Sequence, residues 1–360
     1  MWITALLQLL VGTPVLMLGA EGLVRGAARL AQAIGISPLV VGLTVVAFGT
    51  SAPELAVTAM AVFRVEADLG LGNIVGSNVV NILVVLGLAA AIAPIRVSQQ
   101  TLWPNLPVMI AVSLVLYLMA LDGTISRADG AMLLLGAVSY TTLAIVLSRR
   151  AVKQAAANSS DPPPKSLTLA ELALAWLWVI LGLVGLVWGA YWMVEGAKKI
   201  AEFLGISQLV IGLTVVALGT SLPELATSCW AAVRGQRDIA LGNAIGSNIG
   251  NILGILGLTA ALAPHGVSVH QEALRFDIPL MLAVAAATFP LCAIGRNISR
   301  WEGVLLLAYY VLYVGATYAR AVGQLTEGKA FVYLVIVAPL VVITLSALVH
   351  RFVSVQNRQG

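Results

Sequence analysis

The chain has 360 residues, 60% of them hydrophobic and only 10% charged, with a mean hydropathy of +0.97. Ordinary soluble domains carry about 25% charged residues, so this composition excludes a soluble globular enzyme, a nucleic-acid binder and a disordered chain. At about 20 apolar residues per helical crossing, the length holds ten or eleven spans and leaves no sizeable extramembrane domain, and the net charge of +4 reads as loop topology.

The first apolar run lies near residues 3–24. It has no basic segment before it and no small-residue cleavage site after it, so it reads as a retained span. Further runs lie near 37–63, 69–93, 103–121 and 129–148, then near 169–194, 207–233, 239–263, 273–294 and 301–319, with an eleventh near 330–349. Between the two sets stands RRAVKQAAANSSDPPPKSLT, residues 149–168, the only long polar stretch and therefore a linker. The expected division is a first half over 1–148, the linker over 149–168, a second half over 169–320, and an extra helix with a tail over 321–360. Cys229 and Cys292 sit singly in apolar runs and read as small buried hydrophobes.

The two halves are a duplication. Residues 39–94 superimpose without a gap on 209–264, and 34 of the 56 positions are identical, including Glu, Asn, Ser, Thr, Pro and Arg, which shared apolar composition cannot explain. Five spans per half is an odd number, so the second half enters the membrane in the opposite sense. The expected fold is all-α and polytopic, a ten-helix core of two inverted five-helix repeats with broken helices at the midplane. With the N-terminus outside, 13 of the 20 basic residues fall on the inner side, four of them in the linker, so linker and C-terminus are expected inside.

Most of the 16 acids lie in loops or near span ends, but Glu54 and Glu224 lie deep in spans 2 and 7 at equivalent positions. An ionisable group at that depth costs at least a few kcal/mol unless it faces a cavity or binds something. Two facing carboxylates repel, and a divalent cation or several monovalent ones would neutralise them. Upstream of each stands the same set: Gly49, Thr50, Ser51 and Pro53 in one half, Gly219, Thr220, Ser221 and Pro223 in the other. Proline lacks an amide hydrogen and glycine lets the backbone unwind, so each helix should break here and release carbonyls. Thr50 and Ser51 precede Glu54 by four and three residues, which places hydroxyls and carboxylate on one face. The next span adds Ser77 and Asn81, repeated as Ser247 and Asn251. Gly72 with Gly76, and Gly242 with Gly246, form GxxxG pairs suited to close packing. Such a set is all oxygen, which suits a hard cation and argues against zinc or copper.

The segments GLTVVAFGTSAPE with GNIVGSNVVNILVVLG, and GLTVVALGTSLPE with GNAIGSNIGNILGILG, resemble the two signature repeats of the calcium/cation antiporter superfamily, most closely its prokaryotic sodium/calcium exchanger-like branch. The resemblance covers about residues 1–320. It implies exchange of Ca2+ for Na+ by alternating access, as a contribution to calcium homeostasis, in a prokaryotic cytoplasmic membrane. It also implies that Glu54 and Glu224 are the central carboxylates, that Thr50 and Thr220 supply carbonyl and hydroxyl ligands, and that Ala47 and Ala217 supply outlying carbonyls. Ser51, Ser221, Ser77, Ser247, Asn81 and Asn251 match the remaining polar ligands. Where some relatives, including the potassium-dependent exchangers, carry Asp, this chain has Asn251, which argues against K+ co-transport. No cofactor is called for: Ca2+ and Na+ are substrates, the bilayer is the surrounding partner, nucleic acid is excluded and no protein partner is inferable.

Three rivals stand beside this reading. A Ca2+/H+ exchanger would use the same carboxylates, a passive channel fits inverted repeats with broken helices less well, and an intramembrane enzyme would need a nucleophile and base that the mid-membrane motifs lack. Arg64 with Asp68, and Arg234 with Asp238, read as structural turns, and Glu21 and Glu195 as interfacial. His265 and His270 share one loop. Trp103, Trp176, Trp178, Trp188, Trp192 and Trp301 read as an aromatic belt.

Overall fold

The computed structural model describes residues 2–63, 67–99, 101–158, 168–204 and 217–321. The eleventh apolar run and residues 205–216 of span 7 lie outside the described residues. The described chain is nearly all helix, with two short two-stranded pairings.

Span 1 is α1 (Trp2–Ile34). Span 2 is a broken pair, α2 (Pro38–Thr50) and α3 (Ala52–Phe63), bent by 47°. Span 3 is α4 (residues 67–92), which passes through a π turn at Asn81–Leu86. α5 (Leu106–Met119) and α6 (Arg127–Asn158) complete the first half. In the second half, α7 (Leu169–Phe203) is span 6, and α8 (Ala217–Thr220) with α9 (Leu222–Val233) is the described part of span 7. α10 (residues 237–262, with a π turn at Asn251–Leu256), α11 (Ile278–Ala293) and α12 (Arg300–Ala321) are spans 8 to 10.

α6 continues as helix to Asn158, ten residues into the stretch read as linker, because Arg149–Ala157 is rich in Ala, Lys, Gln and Arg, polar or small but strongly helix-forming. α7 begins on a capping box, in which the Thr168 hydroxyl accepts from the Glu171 amide and the Glu171 carboxylate accepts from the Thr168 amide.

Four short strands demonstrate the inversion. β1 (Ile95–Arg96), between spans 3 and 4, pairs antiparallel with β4 (Asn297–Ile298), between spans 9 and 10. β2 (Thr124–Ile125), between spans 4 and 5, pairs with β3 (Val267–Ser268), between spans 8 and 9. Loops that pair share a membrane face, and the β1 and β2 loops are one crossing apart. The repeat-equivalent β1 and β3 loops therefore lie on opposite faces, as two inverted halves require.

Burial separates two layers. α4 and α10 are buried over 78% and 72% of their most apolar stretches, against 28% for α1 and α7, 17% for α6 and 22% for α12. The first pair forms the protein-enclosed centre, and the others present Leu, Val, Met and Trp outward, as helices in contact with lipid do.

α1 and α7, with 33 and 35 residues, are each about 50 Å long and exceed the roughly 30 Å hydrocarbon core. They touch backbone to backbone. A Cβ on Gly19 would stand 2.6 Å from Leu186 N, one on Gly182 2.4 Å from Leu23 N, and one on Gly189 2.5 Å from Leu16 N, so only glycine permits the seam. The expected GxxxG packing occurs at Gly242 and Gly246, whose Cβ positions would meet Leu39 O at 2.5 Å and Leu43 Cα at 2.6 Å. At Gly72 and Gly76 a Cβ meets no described atom within 4 Å, and the repeat counterpart of the segment that covers Gly242 and Gly246, residues 209–213, lies outside the described residues.

Candidate ion-binding site

Both breaks fall at serine. Ser51 (φ −80°, ψ 13°) separates α2 from α3, and Ser221 (φ −90°, ψ 9°) separates α8 from α9. Pro53 and Pro223 follow in the first helical turn, where a missing amide hydrogen is tolerated because the amides of a first turn have no acceptor within the helix. Glu54 and Glu224 occupy the same first turns, close to the positive ends of the α3 and α9 dipoles. Both carboxylates are fully buried, at 0% exposure.

The hydroxyls serve the opposite half. Ser51 Oγ donates to Glu224 Oε1 at 2.9 Å, and Ser221 Oγ donates to Glu54 Oε1 at 3.1 Å. This exchange brings the two carboxylates and the two breaks of the duplicated motif into one buried constellation. Each carboxylate keeps its second oxygen, Oε2, without a hydrogen-bond partner among the described residues.

The threonines also reach across. Thr50 Oγ1 stands 3.2 Å from Asn243 Oδ1, and 3.1 and 3.3 Å from the carbonyls of Val46 and Ala47; its single proton serves one of the three at a time. Thr220 Oγ1 stands 3.5 Å from Asn73 Oδ1. Ala47 is buried and its carbonyl accepts the Ser51 amide at 3.1 Å, while Ala217 is the first described residue of span 7.

Asn73 and Asn243 were missed in reading the sequence. Asn243 Nδ2 donates to the Glu224 carbonyl at 3.2 Å and to Ser228 Oγ at 2.9 Å. Asn73 Nδ2 makes the same pair of contacts with the Glu54 carbonyl at 3.3 Å and Thr58 Oγ1 at 3.1 Å. Each asparagine therefore ties its own half's broken helix to the span beside it and presents its oxygen to the threonine of the other half. Both belong to the duplicated GN…GSN motif, so the repeat itself was the signal that could have found them.

Ser77 (2% exposed), Asn81 (1%), Ser247 (0%) and Asn251 (0%) line the crossing of α4 and α10. Asn251 Nδ2 donates to Asn78 Oδ1 at 3.1 Å, and Asn248 Nδ2 to the Asn78 carbonyl at 3.2 Å. The oxygens Ser77 Oγ, Ser247 Oγ, Asn81 Oδ1 and Asn251 Oδ1 have no hydrogen-bond partner among the described residues. A buried unsatisfied polar atom costs about 1–3 kcal/mol, so a protein that gathers several around two carboxylates is built for something that binds oxygen. A hard cation, which takes six to eight oxygen ligands, fits this donor set. No cluster of three or more His, Cys, Asp or Glu side chains suited to a metal occurs among the described residues, so ligands beyond the two carboxylates would be neutral.

The two halves differ in access. A cavity of about 160 Å³ lies between α4 and α12, lined by Asn73, Gly76, Ser77, Tyr310 and Tyr313 among others. At the equivalent place between α10 and α6, beside Gly246, Gly250 and Tyr140, only about 10 Å³ remains.

Two inverted halves, broken helices at their meeting point and a buried acidic centre define a membrane transporter of the inverted-repeat kind. The chain belongs to the sodium/calcium exchanger protein family, whose pattern matches residues 4–146 and 174–319. It is 37% identical over 312 residues to the inner membrane protein YrbG of Escherichia coli, covering 86% of this chain and 95% of that protein. It is 32% identical over 341 residues to the sodium/calcium exchanger MaX1 of Methanosarcina acetivorans, covering 86% and 97%. The structure of a sodium/calcium exchanger from Methanococcus jannaschii superimposes with a TM-score of 0.75 at 33% identity, over 88% of this chain and 99% of that one. The chain is accordingly an integral membrane protein of a cation antiporter family, as its composition and repeat led us to expect.

Proposed function

We propose that the protein exchanges Ca2+ for Na+ by alternating access, with Glu54 and Glu224 as the charged centre of one shared site. The observation that carries the reading is the crosswise serine–carboxylate exchange, which joins two acids from opposite halves and leaves Glu54 Oε2 and Glu224 Oε2 unpartnered. One Ca2+, or several Na+, neutralises the pair; an empty, doubly charged site resists passage through the low-dielectric centre, so the ions exchange and do not leak. Thr50, Thr220, Ser51, Ser221, Ser77, Ser247, Asn81 and Asn251, with the carbonyls of Ala47 and Ala217, complete the shell of neutral oxygens. The name of MaX1, a sodium/calcium exchanger, supports the choice of ions. The excess of basic residues on one side supports an N-terminus outside with linker and C-terminus in the cytoplasm, in a cytoplasmic membrane. In that orientation the cavity beside Asn73 and Ser77 lies toward the exterior, where α4 begins.

The test is Ca2+ uptake into proteoliposomes under a sodium gradient at clamped pH, set against a pH gradient without sodium. Uptake driven by sodium alone is expected. Uptake driven by the pH gradient, with no response to sodium, would replace this reading with Ca2+/H+ exchange.

A further inference from the structure

Glu21 of α1, which the sequence leaves as an interfacial acid, is held from two sides. Arg25, one turn on, pairs with it, and Arg234, just past the end of α9, donates from its one nitrogen Nη2 to both carboxylate oxygens, at 2.7 and 2.9 Å. The Arg234 guanidinium also lies 5.3 Å from the centre of the Trp230 ring. These groups wall a cavity of about 300 Å³ that Arg29 and Gln236 complete. Three guanidinium groups thus share one lining carboxylate. Glu171 of α7 is within electrostatic reach of Arg29, and even when it is counted with Glu21 the three guanidinium groups leave the cavity one positive charge in excess.

A second cavity, of about 320 Å³, continues along the same helices on the side of Trp230 away from the arginines. Its walls are apolar: Leu16, Met17 and Ala20 of α1 face Leu225, Ala226 and Val233 of α9. Trp230 lines both spaces, and its buried indole N–H has no hydrogen-bond partner among the described residues. Along α1 the apolar part runs from Thr13 to Ala20 and the cationic part from Glu21 to Arg29, together about 24 Å at 1.5 Å per residue. The arginines sit in the last third of a helix longer than the hydrocarbon core, at headgroup depth.

We propose that this paired cavity binds one anionic membrane phospholipid, its phosphate held by Arg25, Arg29 and Arg234, its ester region accepting from the Trp230 indole, and one acyl chain lying between α1 and α9. Charge complementarity selects an anionic headgroup, and the apolar extension selects a lipid over a free anion. The site is separate from the ion-binding centre and stands whether or not the exchange reading does.

The test is native mass spectrometry of the full-length protein in detergent, titrated with dioleoylphosphatidylglycerol and with dioleoylphosphatidylcholine. Phosphatidylglycerol is expected to bind one equivalent at least tenfold more tightly. The Arg25→Gln/Arg29→Gln double variant, at exposed positions, should lose that preference, whereas Ala226→Trp, which fills the apolar half, should weaken both lipids alike. Equal binding of the two lipids, full competition by inorganic phosphate at equal concentration, or an unchanged preference in the double glutamine variant would overturn the proposal. The melting midpoint of each variant shows that it is folded, and if Ala226→Trp fails to fold the glutamine pair still decides.

Discussion

The face of the site between α4 and α12 is open by about 160 Å³, while its repeat-equivalent between α10 and α6 is shut to about 10 Å³. The helices that carry the site on the two sides are near copies: Gly72, Asn73, Gly76 and Ser77 answer to Gly242, Asn243, Gly246 and Ser247. The hydrogen bonds differ in the same sense. Thr50 and Asn243 meet while fully buried at 3.2 Å, whereas Thr220 and Asn73 are half-buried at 3.5 Å. Asn251 donates to Asn78, while its counterpart Asn81 has no partner and Asn248 Oδ1 is left free of one. Gly242 and Gly246 are covered by Leu39, Gly42 and Leu43 of α2, and the repeat counterparts of those three, residues 209, 212 and 213, lie outside the described residues, so among the described residues the two near-identical helices are told apart by what stands against them and not by their composition.

The largest effect should ignore the difference between the faces. Because the carboxylates are bonded crosswise, Glu54→Gln and Glu224→Gln should each lower sodium-driven Ca2+ uptake in proteoliposomes at least a hundredfold. A variant that retained full transport would show that only one half supplies the site. The next separates the faces. A Cβ on Gly246 would press on the Leu43 backbone at 2.6 Å, so Gly246→Ala should cost about 1–3 kcal/mol in a thermal melt. Gly76→Ala meets no described atom and should be neutral or better by up to about 1 kcal/mol, because alanine favours helix. Its transport should nevertheless fall severalfold, since the Gly76 face must close in the opposite state; unchanged turnover would mean that this face never shuts as the other does.

The asparagines sharpen the contrast further. Asn243→Ala removes the side-chain bonds to the Glu224 carbonyl and to Ser228 Oγ, leaving the buried Ser228 hydroxyl only its longer bond to the Ala240 carbonyl at 3.4 Å, and should cost about 2 kcal/mol, against about 1 kcal/mol for the wetter Asn73→Ala, read as the shift in melting midpoint. The smallest effect is the loss of one serine. Ser51→Ala and Ser221→Ala should each weaken Ca2+ binding about tenfold by removing one hydrogen bond to a carboxylate, and to equal degrees if the crosswise exchange is symmetric in function as well as in position.

The inverted halves and the two glutamates were legible because a matched acid in a poor background of charge stands out, and an odd number of spans fixes the inversion. Asn73 and Asn243 were passed over because an uncharged side chain carries no burial cost large enough to demand an explanation. The π turns at Asn81–Leu86 and Asn251–Leu256 have no local composition that marks them, since they arise where two crossing helices are packed together. The Glu21–Arg234 pair joins residues 213 apart, which periodicity along one helix cannot reveal. The α1–α7 seam is written in glycines, but nothing in either helix alone says that the other is its partner.

The crosswise serines also speak to ancestry. Each half supplies the hydroxyl that its sister's acid uses, so the earliest form of such a site needed two copies of a five-helix chain inserted in opposite directions. Such a chain would have had to tolerate both orientations in the membrane and wait for an inverted twin. Joining the copies through a basic linker settles orientation once, during synthesis, and frees the two copies to drift apart in the flanking helices while the central exchange stays the same.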